Sequence, residues 1–121
     1  MKNHRQSIIE KISKNYGLTV IDCSQINYSK QAKMEKDDFA NCSFIIDDQI
    51  ILGNYDNTEN KELSFFHELG HLFFRRHTFE NIYDMERAAW SIGLKIAATH
   101  GIRFSFRSKK WAVNQLNTYV K

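Results

Sequence analysis

The stretch Leu63 to Phe74 reads LSFFHELGHLFF, and it constrains the chain more than any other segment. Leu63, Phe65, Phe66, Leu69, Leu72, Phe73 and Phe74 make it apolar around most of a helix, and the pattern predicts a helix over 59–76. Thr58 or Asn60 is placed to cap it, Glu59 and Glu62 suit its positive end, and Arg75, Arg76 and His77 suit its negative end. A helix this apolar has to be buried, with Phe66 and Phe73 among its core rings. It takes His67, Glu68 and His71 inside with it, and polar groups buried without partners are costly.

The spacing of those three residues supplies a partner. His67-Glu68-Leu69-Gly70-His71 is HExxH, and residues four apart on a helix lie about 40° apart and one turn up. Two neutral imidazoles so placed can bind one Zn2+ at about 2.0–2.1 Å each. Glu68 is offset by one residue, which makes it the candidate catalytic base beside the metal. The competing reading is a pair of ordinary helix histidines, one exposed and one bonded to a backbone carbonyl. The apolar setting weighs against it.

A catalytic zinc needs a third protein ligand and an open position. His77 stands at the spacing of HExxHxxGxxH, but Phe74 occupies the position where that pattern turns on a glycine. On a continuous helix His77 would lie about 240° around from His71. Glu86 lies fifteen residues after His71, one turn into a second helix predicted over 84–99, with Asp84 near its start and Gly101 beyond its end. An antiparallel return would bring Glu86 over the histidines, and Gly70 would allow close packing there. The favoured metal set is His67, His71 and Glu86. His77, Asp84 and Glu80 remain alternatives for the third place, and Glu86 also fits an N-terminal-turn carboxylate stabilised by the helix dipole.

Around this centre the 121 residues are read as one domain, 1–121. Ile8, Ile9, Ile12 and Tyr16 predict a helix over 5–16, stopped by Gly17. Leu18 to Ile21 is β-prone, and 44–46 with 49–52 reads as a hairpin around Asp47-Asp48. A last amphipathic stretch spans Lys109 to Tyr119, anchored by Trp111, Leu116 and Tyr119. Residues 23–40 give no clear pattern. The class is α+β with a small antiparallel sheet.

Cys23 and Cys42 form no CxxC pair and read as thiols of a reducing compartment. The N-terminus lacks the apolar stretch of a signal peptide, and no run approaches the length of a membrane span. The expected location is the cytoplasm, with no membrane partner. Residues 87–121 hold seven Lys or Arg and no Asp or Glu. A solvated face balancing the acidic remainder is preferred to an acidic partner or nucleic acid.

The segments FIIDDQIIL, KELSFFHELGHLFF and ERAAWSIGLKIA, in that order, resemble the ImmA/IrrE metallo-endopeptidases of bacteria, their phages and mobile elements. The resemblance covers roughly 40–121 and is strongest at 63–93. The chain departs from the family pattern at Arg87-Ala88-Ala89, where an acidic residue often precedes the first Ala, and at Gly93, where alanine is more usual. The resemblance implies a zincin-like, gluzincin-type helical domain with the small sheet packed on the HExxH helix. It implies a zinc site of His67, His71 and Glu86 with Glu68 as base, and a compact hydrolase of phage or mobile-element type. The implied protein substrate is a repressor or antitoxin-type regulator. His100, Arg103 and His77 are candidate oxyanion donors, His100 foremost, although a dipole-stabilised C-terminal histidine explains His100 better. Two other readings stand beside the peptidase. One is a catalytically silent zinc-containing module that binds a DNA-binding regulator or toxin. The other is nucleic-acid binding through Arg103, Arg107, Lys109 and Lys110 with Phe104, Phe106 and Trp111, which is weaker because those rings are expected in the core. The sequence fixes no oligomeric state.

Overall fold

The computed structural model describes residues 4–22, 43–53, 55 and 57–120. Seven elements follow one another: α1 (His4–Asn15), β1 (Thr19–Asp22), β2 (Phe44–Ile46), β3 (Gln49–Leu52), α2 (Thr58–Phe73), α3 (Ile82–Thr99) and α4 (Phe106–Asn117). They form two compact units, 1–55 and 56–121. Cys23, Cys42 and the unpatterned segment 23–40 lie outside the described residues. Among the described residues no helix is long and apolar enough to cross a membrane.

In the first unit α1 ends where the sequence requires it. Gly17 takes φ 66°, its N–H donates to the Lys14 carbonyl, and the Leu18 N–H reaches back to Ser13 at 2.8 Å. That double bond closes the helix with a left-handed residue, for which glycine carries no Cβ penalty. Ile12 and Leu18, either side of the stop, are buried. β2 and β3 form the expected antiparallel hairpin, Phe44 opposite Ile51 and Ile46 opposite Gln49. Asp47 turns it at φ 53°, a conformation Asp tolerates better than most side chains. Ile50 and Leu52 point inward from β3 while Gln49 is exposed.

The sheet corrects one expectation: it is mixed, not wholly antiparallel. The strand order is β1-β3-β2, and β1 runs parallel to β3 with Val20 opposite Ile50. A parallel pair needs a connection of a dozen residues or more. Residues 23–43 give β1 that length, whereas the two-residue turn at 47–48 allows only an antiparallel neighbour.

The second unit is built on α2 and α3. Leu63, Phe65, Phe66 and Leu69 of α2 are fully buried, together with Ala89 and Ala97 of α3. The two helices touch backbone to backbone at two places. A Cβ at Gly70 would run into the Ala89 carbonyl, and one at Gly93 would run into the Phe66 carbonyl. Gly93 is therefore a contact point between the two helices. α4 closes the unit: the Phe104 ring before it meets Phe66 edge-on at 6.1 Å, and the Ser105 N–H donates to Glu59 at the start of α2.

The cap of α2 differs from expectation by one to three residues. Asn57, not Thr58 or Asn60, caps α2, because its Oδ1 accepts the Asn60 N–H at 2.7 Å. Asn81 does the same for α3 through Asp84, and Ser105 for α4 through Ser108. α2 stops at Phe73, with the Phe74 N–H bonded to His71 and Leu72, so Arg75, Arg76 and His77 lie beyond its last turn. Phe73 is 48% exposed and so is not the core ring expected of it. With Gly70 against Ala89 and Phe66 against Gly93, α3 runs antiparallel to α2 and Phe73 falls level with Glu86, about one turn from the start of α3, where Ile82 is exposed too. α3 ends on Gly101 at φ 77°, with the Ile102 N–H bonded back to Ala97 at 2.9 Å, the same device that ends α1.

Candidate metal centre

The Gly70 contact sets the height of α3 against α2, and so decides which α3 side chain faces the histidines. Glu86 lies three residues before Ala89, on the turn level with His71. Its Oε2 sits 2.7 Å from His67 Nε2 and 3.2 Å from His71 Nε2, and the two imidazole nitrogens are 3.1 Å apart. His67, His71 and Glu86 each offer one ligand atom, all within 4.8 Å of one another, and Glu86 is only 6% exposed.

This donor set fits a divalent metal ion. Ligands about 2.0–2.1 Å from a tetrahedral centre are separated by about 3.3 Å, close to the three spacings between these atoms. Protons serve the same triangle poorly. Both nitrogens can donate to the carboxylate, but their own 3.1 Å approach then has a donor facing a donor. A single cation satisfies all three lone pairs together. Two imidazoles and a carboxylate suit zinc, and also manganese, iron, cobalt and nickel.

The electrostatics match the geometry. Burial alone would raise the Glu86 carboxyl, but the hydrogen bonds and charges of His67 and His71 outweigh it and hold it at about 2. Burial pulls His67 below its ordinary value. Burial opposes charge at His71 too, yet the hydrogen bond and charge of Glu86, with Glu68 behind, carry it above its ordinary value. Glu68, 6% exposed, is pushed by burial up to about 8. Its Oε1 is 3.6 Å from His67 Nδ1, too far for a hydrogen bond, and it is not one of the three convergent groups.

The alternative ligands are elsewhere. His77 is exposed after α2, edge-on to Phe79 at 4.4 Å and to Phe74 at 6.1 Å. Asp84 and Glu80 are exposed, the former in α3's first turn with its N–H held by Asn81. His100 is the exposed C-cap of α3, its backbone N–H bonded to the last-turn carbonyls. Of the candidate nucleic-acid rings, Phe104 is buried, Trp111 meets Trp90 edge-on at 6.1 Å, and Phe106 is 82% exposed.

One residue of the centre escaped the sequence reading. Trp90 stacks on His67 with ring centroids 4.0 Å apart and planes 6° from parallel, and is itself only 7% exposed. It fixes the plane of that imidazole. The available signal was its spacing, since four residues after Glu86 places it on the same face of α3. No protein-family model, curated protein or solved structure matches this chain.

Proposed function

We propose that the chain is a zinc-dependent endopeptidase whose ligands are His67, His71 and Glu86 and whose base is Glu68. The observation that carries this reading is the convergence of the three ligand atoms from α2 and α3, with a buried carboxylate next to one of them in sequence. Zinc held there supplies a Lewis acid and lowers the pKa of water toward about 7.

The chain's own groups divide the remaining work. His67, His71 and Glu86 would hold the ion. Trp90 keeps His67 from rotating out of the set. Burial keeps the Glu68 proton affinity high in the absence of a cation, and a dication close by favours its carboxylate form. A group so balanced can take a proton from the attacking water and deliver it to the leaving amide nitrogen. The likeness of residues 63–93 to ImmA/IrrE endopeptidases supports a repressor or antitoxin-type protein as substrate, in the cytoplasm.

Metal analysis of purified protein tests the centre: about one zinc per wild-type chain is expected, lost in Glu86→Ala and retained in His77→Ala. Glu68→Gln tests the chemistry. A peptidase keeps zinc and loses cleavage of repressor-like proteins in that variant. A zinc-containing binding module would keep both zinc and partner binding, with no cleavage by the wild type.

A further inference from the structure

α4 presents its faces in an unusual order. Ser108 and Ala112 are buried and Trp111 half-buried, so the solvent side is the opposite one. At about 100° per residue, Phe106, Lys110, Val113 and Asn117 fall within about 60° of one another at the centre of that side. Phe106 is 82% exposed and Val113 54%. A surface helix normally keeps such a centre polar. Here an aromatic and a β-branched side chain occupy it, with Arg107 and Lys109 on the two flanks.

The charges are as misplaced as the rings. Arg107 and Lys109 lie in the first turn of α4, which has no acidic residue, although that end of a helix favours negative charge. Among the described residues Arg107, Lys109 and Lys110 enter no ion pair. Glu59 of α2 reaches the Ser105 N–H at the cap, but residues 87–121 contain no Asp or Glu of their own.

We infer that the outward face of α4 is a docking surface for an acidic amphipathic segment of a partner protein. The partner's apolar side chains lie on Phe106 and Val113, and its carboxylates meet Arg107, Lys109 and Lys110. Charge chooses the occupant. A second copy of this face would set like charges against each other. Single-stranded nucleic acid needs successive aromatic platforms, and Phe104 and Trp111 are turned into the fold, leaving one exposed ring. This surface goes beyond the peptidase reading and does not depend on it, because it would bind whether or not the centre cleaves.

The test uses the full chain and a fluorescein-labelled synthetic helix of about 18 residues, with Leu at i, i+3, i+4 and i+7 and Glu on its other face. Anisotropy should show saturable binding, weakened about tenfold or more by Phe106→Ser and by Lys109→Glu with Lys110→Glu. The charge-reversed protein should instead bind a version of the probe with Lys in place of Glu. These side chains are exposed, so unchanged far-UV circular dichroism and zinc content are expected and separate lost docking from lost folding. Several results would overturn the inference: no binding of the probe by wild type, equal binding by Phe106→Ser, or tighter binding of an oligothymidylate than of the peptide. Concentration-dependent self-association abolished by Phe106→Ser would overturn it as well, by giving the face to a second copy.

Discussion

Replacing Gly70 by alanine sets two effects of opposite sign against each other. Inside a helix, Gly→Ala ordinarily stabilises by about 0.5–1 kcal/mol, because glycine loses more backbone freedom on folding. At this position the new Cβ would sit inside the contact radius of the Ala89 carbonyl oxygen, carbon and Cα. A methyl carbon needs more than about 3 Å from a carbonyl oxygen, so α2 and α3 would have to part by about 1 Å along this line. A gap of that size forfeits a quarter to a half of each dispersion contact it opens, and Leu69 and Ala89 are fully buried beside it. Overpacking of this kind costs about 1–3 kcal/mol, more where backbone meets backbone. The net expectation is destabilisation by about 2 kcal/mol, a fall in Tm of roughly 8 °C for a domain of this size. Denaturant unfolding followed by tryptophan fluorescence reads the right part of the molecule, since Trp90 and Trp111 both lie in the 56–121 unit. Zinc uptake should weaken in parallel, because Glu86 rides on the displaced helix. A stabilised Gly70→Ala protein with unchanged zinc content would refute the close approach and the helix register derived from it.

Four further outcomes are expected. Phe66→Ala, which removes a fully buried ring meeting Phe65 at 5.1 Å and Phe104 at 6.1 Å, should cost about 3–5 kcal/mol in urea unfolding. Phe73→Ala, at 48% exposure, should cost under about 1 kcal/mol, and comparable losses would mean that α2 faces another way. Co2+ added to metal-free protein should quench Trp90, stacked 4.0 Å from His67; Trp90→Phe should remove most of that quenching and Trp111→Phe little, with the opposite ranking counting against the stack. In metal-free protein Glu68 has a folded pKa of about 8 against 4.5 unfolded, so the folded chain holds the extra proton and this group's contribution to stability falls as pH rises from about 4.5 to about 8. Glu68→Gln should flatten that fall, measured with chelator present, and identical slopes in the two proteins would show that Glu68 is not buried as described.

The convergence of His67, His71 and Glu86 was readable because it depends on short-range spacing. His67, Glu68 and His71 are placed by one helix, and Glu86 by a short return into the next. Gly70 was legible for the same reason: a glycine beside two candidate ligands has a packing meaning that can be stated before any fold is known. The hairpin and the Gly17 stop followed from local turn chemistry. What escaped was set by tertiary context. The parallel pairing of β1 depends on a long connection with no pattern of its own. The early end of α2 and the exposure of Phe73 depend on where α3 begins, which periodicity alone does not reveal. The cap of α2 was read at Thr58 or Asn60, and only hydrogen-bond geometry selects Asn57. Trp90 went unnoticed because an aromatic side chain at helical spacing is first read as core, which it also is.

The ligand atoms come from positions 67, 71 and 86, all on two consecutive helices joined by one short loop. Such a centre is assembled by local encounter. Its closing loop is short, the entropy lost in closing it is small, and its contacts are the kind that form early in folding. An ion bound there acts as a clasp on the α2–α3 hairpin and shifts the unfolding equilibrium of that hairpin by mass action. In free-metal concentration, then, the cell would hold a control over how long these two helices stay folded, separate from any control over what binds at the site.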